Sequence, residues 1–222
     1  MQNSQQNILR SVSGRRFSAL NPTPDTGIAQ AVQATFSATA ALLNIFNATP
    51  FVAAQYQSNL PIIIPIWIRL IMTVAPASAT RMAFIATTDA QDRFSSGGSV
   101  LTPTQVISRF PNQSFARINF GAVVLTAEST DVRRIAHGNM RTQIPIVQDE
   151  YFFLFEEAAD ISSSGMNSAT ALRNSTVISP TVIYPGQSFS LQPWYAGNAV
   201  TPASYECEIG WREMDTSMPS SE

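Results

Sequence analysis

Lysine is absent from the 222 residues: all 13 basic side chains are Arg. Cysteine occurs once, as Cys207, and histidine once, as His137. Charged residues make up 13% of the chain, about half the usual share of roughly 25%. Each shortage removes a class of function. A single Cys excludes an intrachain disulfide and leaves the redox compartment open. One Cys and one His cannot close an N/S zinc site. A formal net charge of −2 excludes a strongly basic body. There is no Gly-rich phosphate loop and no Ser set between glycines in the pattern of a nucleophile elbow. A monomer needs a charged coat to stay soluble. A chain this poor in charge hides surface against further copies of itself, which points to assembly rather than catalysis.

What is present fits one domain with an arm. The length suits a single core, and a hydrophobic share of 45% excludes global disorder. Residues 1–24 carry Arg10, Arg15 and Arg16 among Ser, Gln and Asn, with no acid. This defines a flexible, weakly basic N-terminal arm over 1–26 and a shell domain over 27–222. The same composition also describes an organelle transit peptide. Residues 26–68 are free of charge, yet no membrane span is expected. The most apolar piece, 60–79, contains Pro61, Pro65, Arg69 and Pro76, which would break a spanning helix and bury a charge in lipid.

The apolar pattern has period 2 in short segments. Ile66, Ile68, Leu70, Met72 and Val74 predict the inner face of a strand that starts at Pro65 and ends at Pro76. Met82, Phe84 and Ala86 predict the next strand. Others are expected over 115–124, 151–155 and 135–146, the last closed by Pro145. Strands over 177–184 and 187–192 flank the turn Tyr184-Pro185-Gly186. In the last strand, Tyr205, Cys207, Ile209 and Trp211 face one way, and Glu206, Glu208 and Arg212 the other. Residues 35–45 are Ala-rich, but Thr35, Ser37 and Thr39 at alternate positions lean them towards strand. Residues 102–108 predict a short helix with Thr102 as N-cap and Pro103 at its first position. Loops are expected at 89–99, 160–169 and 196–203. The sum is an all-β fold: an eight-stranded antiparallel jelly-roll sandwich with a flexible N-terminal arm.

Candidate chemistry is sparse, and no catalytic residue and no cofactor is expected. A Cys207–His137 dyad is conceivable, but Cys207 sits on an apolar strand row, which blunts a thiol. Asp149-Glu150 and Glu156-Glu157 flank the aromatic run 151–155. Asp149 and Glu150 are candidates for calcium between subunits; the alternative is a solvated strand end or pairing with Arg. Trp67, Trp194 and Trp211 could serve as sugar platforms beside glycosidase carboxylates, though Trp211 lies on the buried row and Trp67 reads as a subunit contact. Arg10, Arg15 and Arg16 can neutralise phosphates without reading sequence. Arg133 and Arg134, with Arg141, form a second basic group near His137; a solvated loop is the other reading. No recognition helix and no stacking platform for single-stranded RNA stands out.

The strand at 66–73 with the turn at Pro76, the strand at 80–87, the segment Ser99-Val100-Leu101-Thr102-Pro103-Thr104-Gln105-Val106 and the stretch 115–121 together resemble the central strands of tymovirus-type coat proteins. A Thr-Pro-x-Gln-(Ile/Val) segment follows a strand pair in that family. The likeness covers about a third of the chain. It implies a jelly-roll capsid protein of a small icosahedral RNA virus, found in the virion. Such a subunit assembles with itself, commonly as about 180 copies in closed symmetry, around single-stranded genomic RNA bound without sequence preference. Two features depart from the family: the Arg-bearing arm, and a single His137 where that group has histidines for RNA contact. The rival expectation is a jelly-roll carbohydrate-binding or enzymatic module behind an organelle transit peptide. It would show a charged surface and a polar aromatic groove.

Overall fold

The computed structural model describes residues 15–20, 27–29, 36–49, 61–76, 82–105, 114–141, 146–155, 175–195 and 202–215. Among them there is no helix, so none is long and apolar enough to cross a membrane. The strands are β1 (Arg15–Leu20), β2 (Ile28–Ala29), β3 (Ala40–Asn47), β4 (Pro61–Val74), β5 (Met82–Asp89), β6 (Phe94–Leu101), β7 (Thr104–Gln105), β8 (Ala116–Leu125), β9 (Arg133–Arg141), β10 (Glu150–Leu154), β11 (Ser175–Val177), β12 (Ser188–Tyr195) and β13 (Ser204–Asp215). They form two sheets. One runs β11-β10-β4-β13-β1-β7, with β2 added to β13; the other runs β6-β8-β3-β12-β5-β9. All pairings are antiparallel except β10 with β11. The chain is therefore an all-β sandwich.

The core lies between the sheets because each strand sends its apolar parity inward. Ile68, Leu70 and Met72 of β4 and Tyr205, Cys207, Ile209 and Trp211 of β13 are buried from one side. Phe84 and Ala86 of β5, Phe189 and Leu191 of β12 and Ile118 and Phe120 of β8 close it from the other. Aromatic edges join the layers: Phe84 meets Phe153 at 5.2 Å and Phe155 meets Phe189 at 5.3 Å, both at steep interplanar angles. That is the edge-to-face geometry favoured by ring quadrupoles.

Several sequence expectations need correction. Strand β4 begins at Pro61, and Pro65 lies inside it, buried, opposite Trp211. The register slips between Gly210 and Trp211, so Ile66 is the extra residue of a bulge. Proline is tolerated at a bulge because no ladder bond is needed there. The same slip takes Ile66 out of the inward row and puts Pro65 in it. A second slip, between Ser204 and Tyr205, turns Val74 to the surface, where it is 50% exposed.

The helix expected from Thr102 is absent over the described residues: Thr104 and Gln105 pair as β7 with Ser18 and Phe17. The expected loop 89–99 contains most of β6. Gly97 and Gly98 take φ of +74° and +66°, and a Cβ on Gly97 would come 2.3 Å from the Ala122 carbonyl oxygen. These glycines let an edge strand approach β8 through two bulges rather than marking a loop. The strand expected at 35–45 is displaced to 40–47, with a turn at Ala38 and Thr39. Thr35 lies outside the described residues, as do Pro145, 106–108, 160–169 and 196–201. Residues 178–184 are no strand beyond one bridge, Ile183 to Ile63; Pro180 lacks the N–H a ladder needs. The turn at Pro185-Gly186 is present, closed by Gln187 N–H to the Tyr184 carbonyl at 2.9 Å. Finally, residues 15–20 of the segment expected to be an arm are strand β1, paired with β13 from Arg15↔Glu213 to Leu20↔Glu208. Residues 1–14 lie outside the described residues.

Candidate functional site

The outward face of the seven-stranded sheet departs from the usual pattern of a solvated sheet. An antiparallel sheet with one wet side alternates apolar and polar residues. Here β4 is apolar on both sides. Trp67 points outward between Leu154 and Gly210, Arg69 between Phe152 and Glu208, and Ile71 between Glu150 and Glu206. Leu20 at the β1 side and Val177 at the β11 side are 43% and 40% exposed. Trp67 lies against Gly210, where a Cβ would come 2.5 Å from the indole nitrogen, so only glycine admits the ring there. Arg69 lies between Trp67 and Ile71 on this face. It donates to Glu150 at 2.7 Å, lies 3.6 Å from Glu208, and has its guanidinium 5.8 Å from the Phe152 ring. Arg69 is thus shared by two carboxylates, with Glu206 as a third acid beside Ile71, and a cleft of about 510 Å³ beside Trp67 is lined by Ile64, Pro65, Ile66, Ser18 and Arg212 among others.

The outward face of the six-stranded sheet carries a different cluster. β9 is its edge strand. A register shift between Ala86 and Thr87 sets Arg134 opposite Thr87 and His137 opposite Ile85. The bulge therefore places these two residues, three apart, on one face. His137 stacks on Trp194 of β12, with centroids 6.1 Å apart and planes at 15°. Phe36 meets Trp194 edge-on at 5.3 Å, and the Arg134 guanidinium lies 5.8 Å from the Phe36 ring. Arg133, Arg134, His137 and Asn139 are exposed, while Trp194 and Phe36 are half-buried.

The expected phosphate-contacting residues therefore divide. Arg133 and Arg134 lie on the β9 edge; Arg15 and Arg16 lie on β1 in the other sheet; Arg10 lies outside the described residues. Arg133 and Arg134 are part of a strand, not a loop. Charged side chains on an edge strand also hinder edge-to-edge pairing. The rings around them were missed because Phe36, His137 and Trp194 are far apart in sequence and only the sheet register joins them.

The two calcium candidates, Asp149 and Glu150, face different ways. Asp149 is buried and accepts from Ile146 N–H at 2.8 Å and from the Tyr151 hydroxyl at 3.4 Å. Glu150 turns outward to Arg69. Neighbouring residues entering a strand face opposite ways, so the two carboxylates do not share a cation. Among the described residues no group of three His, Cys, Asp or Glu side chains could hold a metal ion. Cys207 and His137 are likewise apart. Cys207 is fully buried in the core of one sheet, and His137 is exposed on the outside of the other. Burial pushes the Cys207 thiol well above its ordinary range. A thiol reagent is therefore expected to leave Cys207 unmodified in the folded protein and to label it once denaturant is added; rapid labelling without denaturant would place it at the surface.

No protein-family model matches the chain, and no curated protein matches it either.

Proposed function

We propose that the chain is the coat subunit of a small icosahedral RNA virus, a jelly roll that assembles with copies of itself around single-stranded RNA. The outward face of the seven-stranded sheet carries this reading. A largely apolar strip through Trp67, Ile71, Phe152 and Leu154, crossed by the Arg69–Glu150 ion pair, resembles the core of a subunit contact more than a wetted surface. The cleft beside Trp67 suits an apolar side chain from a neighbour. Scarcity of charge across the chain agrees with it.

The strand pairing supports the jelly roll. With β1, β3, β4, β5, β9, β10, β12 and β13 taken as its eight strands, the first pairs with the last, the second with the seventh, the third with the sixth and the fourth with the fifth. This nested order is that of one long hairpin rolled into two sheets, the architecture shared by capsid and lectin domains. In this reading β6, β7 and β8 are an insertion between the fourth and fifth strands. The likeness to tymovirus-type coats belongs to the same proposal. So does non-specific neutralisation of phosphate by Arg10, Arg15, Arg16, Arg133 and Arg134. The rival sugar-binding or enzymatic module has one feature in its favour, the ring cluster at Trp194.

The test is particle size. Light scattering of the purified chain is expected to find large closed particles. The double variant Leu20→Lys/Val177→Asp is expected to stay at the size of a subunit while its circular dichroism is unchanged, because both side chains are already exposed and Lys at position 20 lies opposite Glu208. A wild-type chain that remains monomer or dimer at every salt concentration overturns the proposal.

A further inference from the structure

We propose that the outward face of β9 and β12 is a stacking platform for an unpaired base of single-stranded RNA, with His137 as the ring on which the base sits. The choice of ligand rests on the coat-subunit reading; the site, its residues and its mode of recognition go beyond it.

Three observations converge. First, the His137 and Trp194 rings are nearly parallel, 15° apart, and His137 is exposed where Trp194 is half-buried. A base laid on the imidazole would extend a stack that already exists. Second, the stack is held in place. Phe36 packs edge-on against Trp194, and Arg134 lies over Phe36. Rings fixed before binding lose little freedom when a ligand arrives. Third, the surroundings are cationic. Arg134 is exposed on the ring face, opposite Thr87, while its neighbour Arg133, exposed at the same edge, pairs with Thr88 and turns to the other face. The one acid in β5, β9 and β12 is Asp89. It is buried, held by the Ser129 hydroxyl and N–H, and 3.7 Å from Arg93. Aromatic rings flanked by Arg, with no competing exposed carboxylate on these strands, match a phosphate-linked chain of bases. Asn139, opposite Ala83, is the exposed amide on this face that a neutral sugar would use, so a sugar is a separate arm of the test. A duplex offers no free base face to stack.

The mode of binding makes each side chain's effect separable. Stacking on an aromatic ring tolerates any base, so the site selects unpaired bases without reading sequence. The Arg residues contribute through released counterions, and their share changes with salt.

The experiment uses the full-length chain and fluorescein-labelled twelve-nucleotide RNAs, oligo(U) and an abasic strand of equal length and charge, with binding read by anisotropy at several salt concentrations. Wild type is expected to bind oligo(U) more tightly than the abasic strand and to show quenched Trp fluorescence. His137→Ala is expected to weaken oligo(U) binding by roughly 5- to 150-fold, the range of one lost stacked base. It should leave abasic binding and the salt slope unchanged. His137→Phe, which keeps a ring and loses the imidazole, is expected to restore the preference. Arg134→Ala should weaken both strands alike and reduce the salt slope by about 0.7, the value for one phosphate contact on a single strand. Equal binding of the two strands by wild type overturns the platform, as does an unchanged preference in His137→Ala. Binding of a neutral oligosaccharide such as maltoheptaose, lost in His137→Ala, with none of oligo(U), assigns the rings to sugar and overturns it too. Particle size in the same samples separates the two readings. Particles with no base preference refute the platform alone; subunits that prefer bases yet never assemble refute the shell alone.

Discussion

Trp211→Ala is expected to lower the stability of the sandwich by about 3–5 kcal/mol, the range for removing a large buried aromatic from a core. Trp211 is 1% exposed and stacks on Phe17 of β1 with centroids 5.7 Å apart. Its indole N–H also donates to Glu213 at 3.2 Å. Glu213 is itself buried and accepts from Phe115 N–H at 2.9 Å and from the Ser114 hydroxyl. The substitution thus opens a cavity, loosens β1 from β13 and removes one donor from a buried carboxylate. Against a total stability of about 5–15 kcal/mol, that loss leaves a large unfolded fraction. Urea unfolding followed by circular dichroism measures it. Trp211→Phe keeps most of the buried ring and loses the N–H, so its loss is expected to be smaller and to report the bond to the carboxylate, about 1.5–3 kcal/mol. Equal losses in the two variants would show that packing contributes little at this site.

Along β13 the arrangement is legible in the chain. Tyr205, Cys207, Ile209 and Trp211 alternate with Glu206, Glu208 and Arg212, and that parity is the one observed. Alternation is read easily because a slip of one residue would invert the whole row. The next inward position is Glu213, a buried charge that no hydrophobic pattern announces. Its partners come from residues 114 and 115, about a hundred positions away. The strand over 66–74 shows the other limit. A bulge depends on the partner strand, so the exchange of Pro65 for Ile66 in the inner row has no local signal.

The two outward faces follow the same division. The apolar strip on β4 is visible in the sequence as Ile, Trp and Ile at positions between inward residues. A chain read alone cannot say whether such residues face a second sheet or a neighbour, because a strand buried on both sides looks the same. The cluster of Phe36, His137 and Trp194 was not visible at all. It is assembled by the order β12-β5-β9 and by the bulge that brings Arg134 to the side of His137. Loop expectations failed where glycine stands for close approach rather than for a turn, as at Gly97. The short helix expected from Thr102 failed because Thr104 and Gln105 complete the edge beside β1 instead. Local propensity gives way when a sheet edge is available for pairing.

Arg93 gives the second large effect, and a neighbouring Arg gives its control. The Arg93 side chain is fully buried, with Asp89 at 3.7 Å and Glu128 at 3.8 Å. It donates to the Thr126 carbonyl at 2.8 Å and to the Ala38 carbonyl. Desolvation pulls its pKa below the ordinary value for Arg, which marks the strain of burying this cation. The guanidinium thus ties the turn before β3 to the segment after β8, and the Ala38 carbonyl also accepts from the Gln192 side-chain amide Nε2 at 2.9 Å. Removing one partner of a buried charge pair leaves the other uncompensated, and Arg93→Ala is expected to cost about 3–5 kcal/mol. Bonds from Ser129 and from Gln91 N–H keep Asp89 partly satisfied, which favours the lower end of that range. Arg117 is bonded to Asp92 more closely, at 2.6 Å, but both side chains are about one-third exposed. Solvent screens that pair, and Arg117→Ala is expected to cost about 0–1 kcal/mol from the ion pair itself. Its contacts with Phe46 and Phe94, at 4.7 and 4.9 Å, add a second small loss of about 0.5–1 kcal/mol. Denaturant midpoints of the two variants, measured side by side, decide whether burial or distance governs the strength of these pairs. A larger loss in Arg117→Ala than in Arg93→Ala would show that distance does.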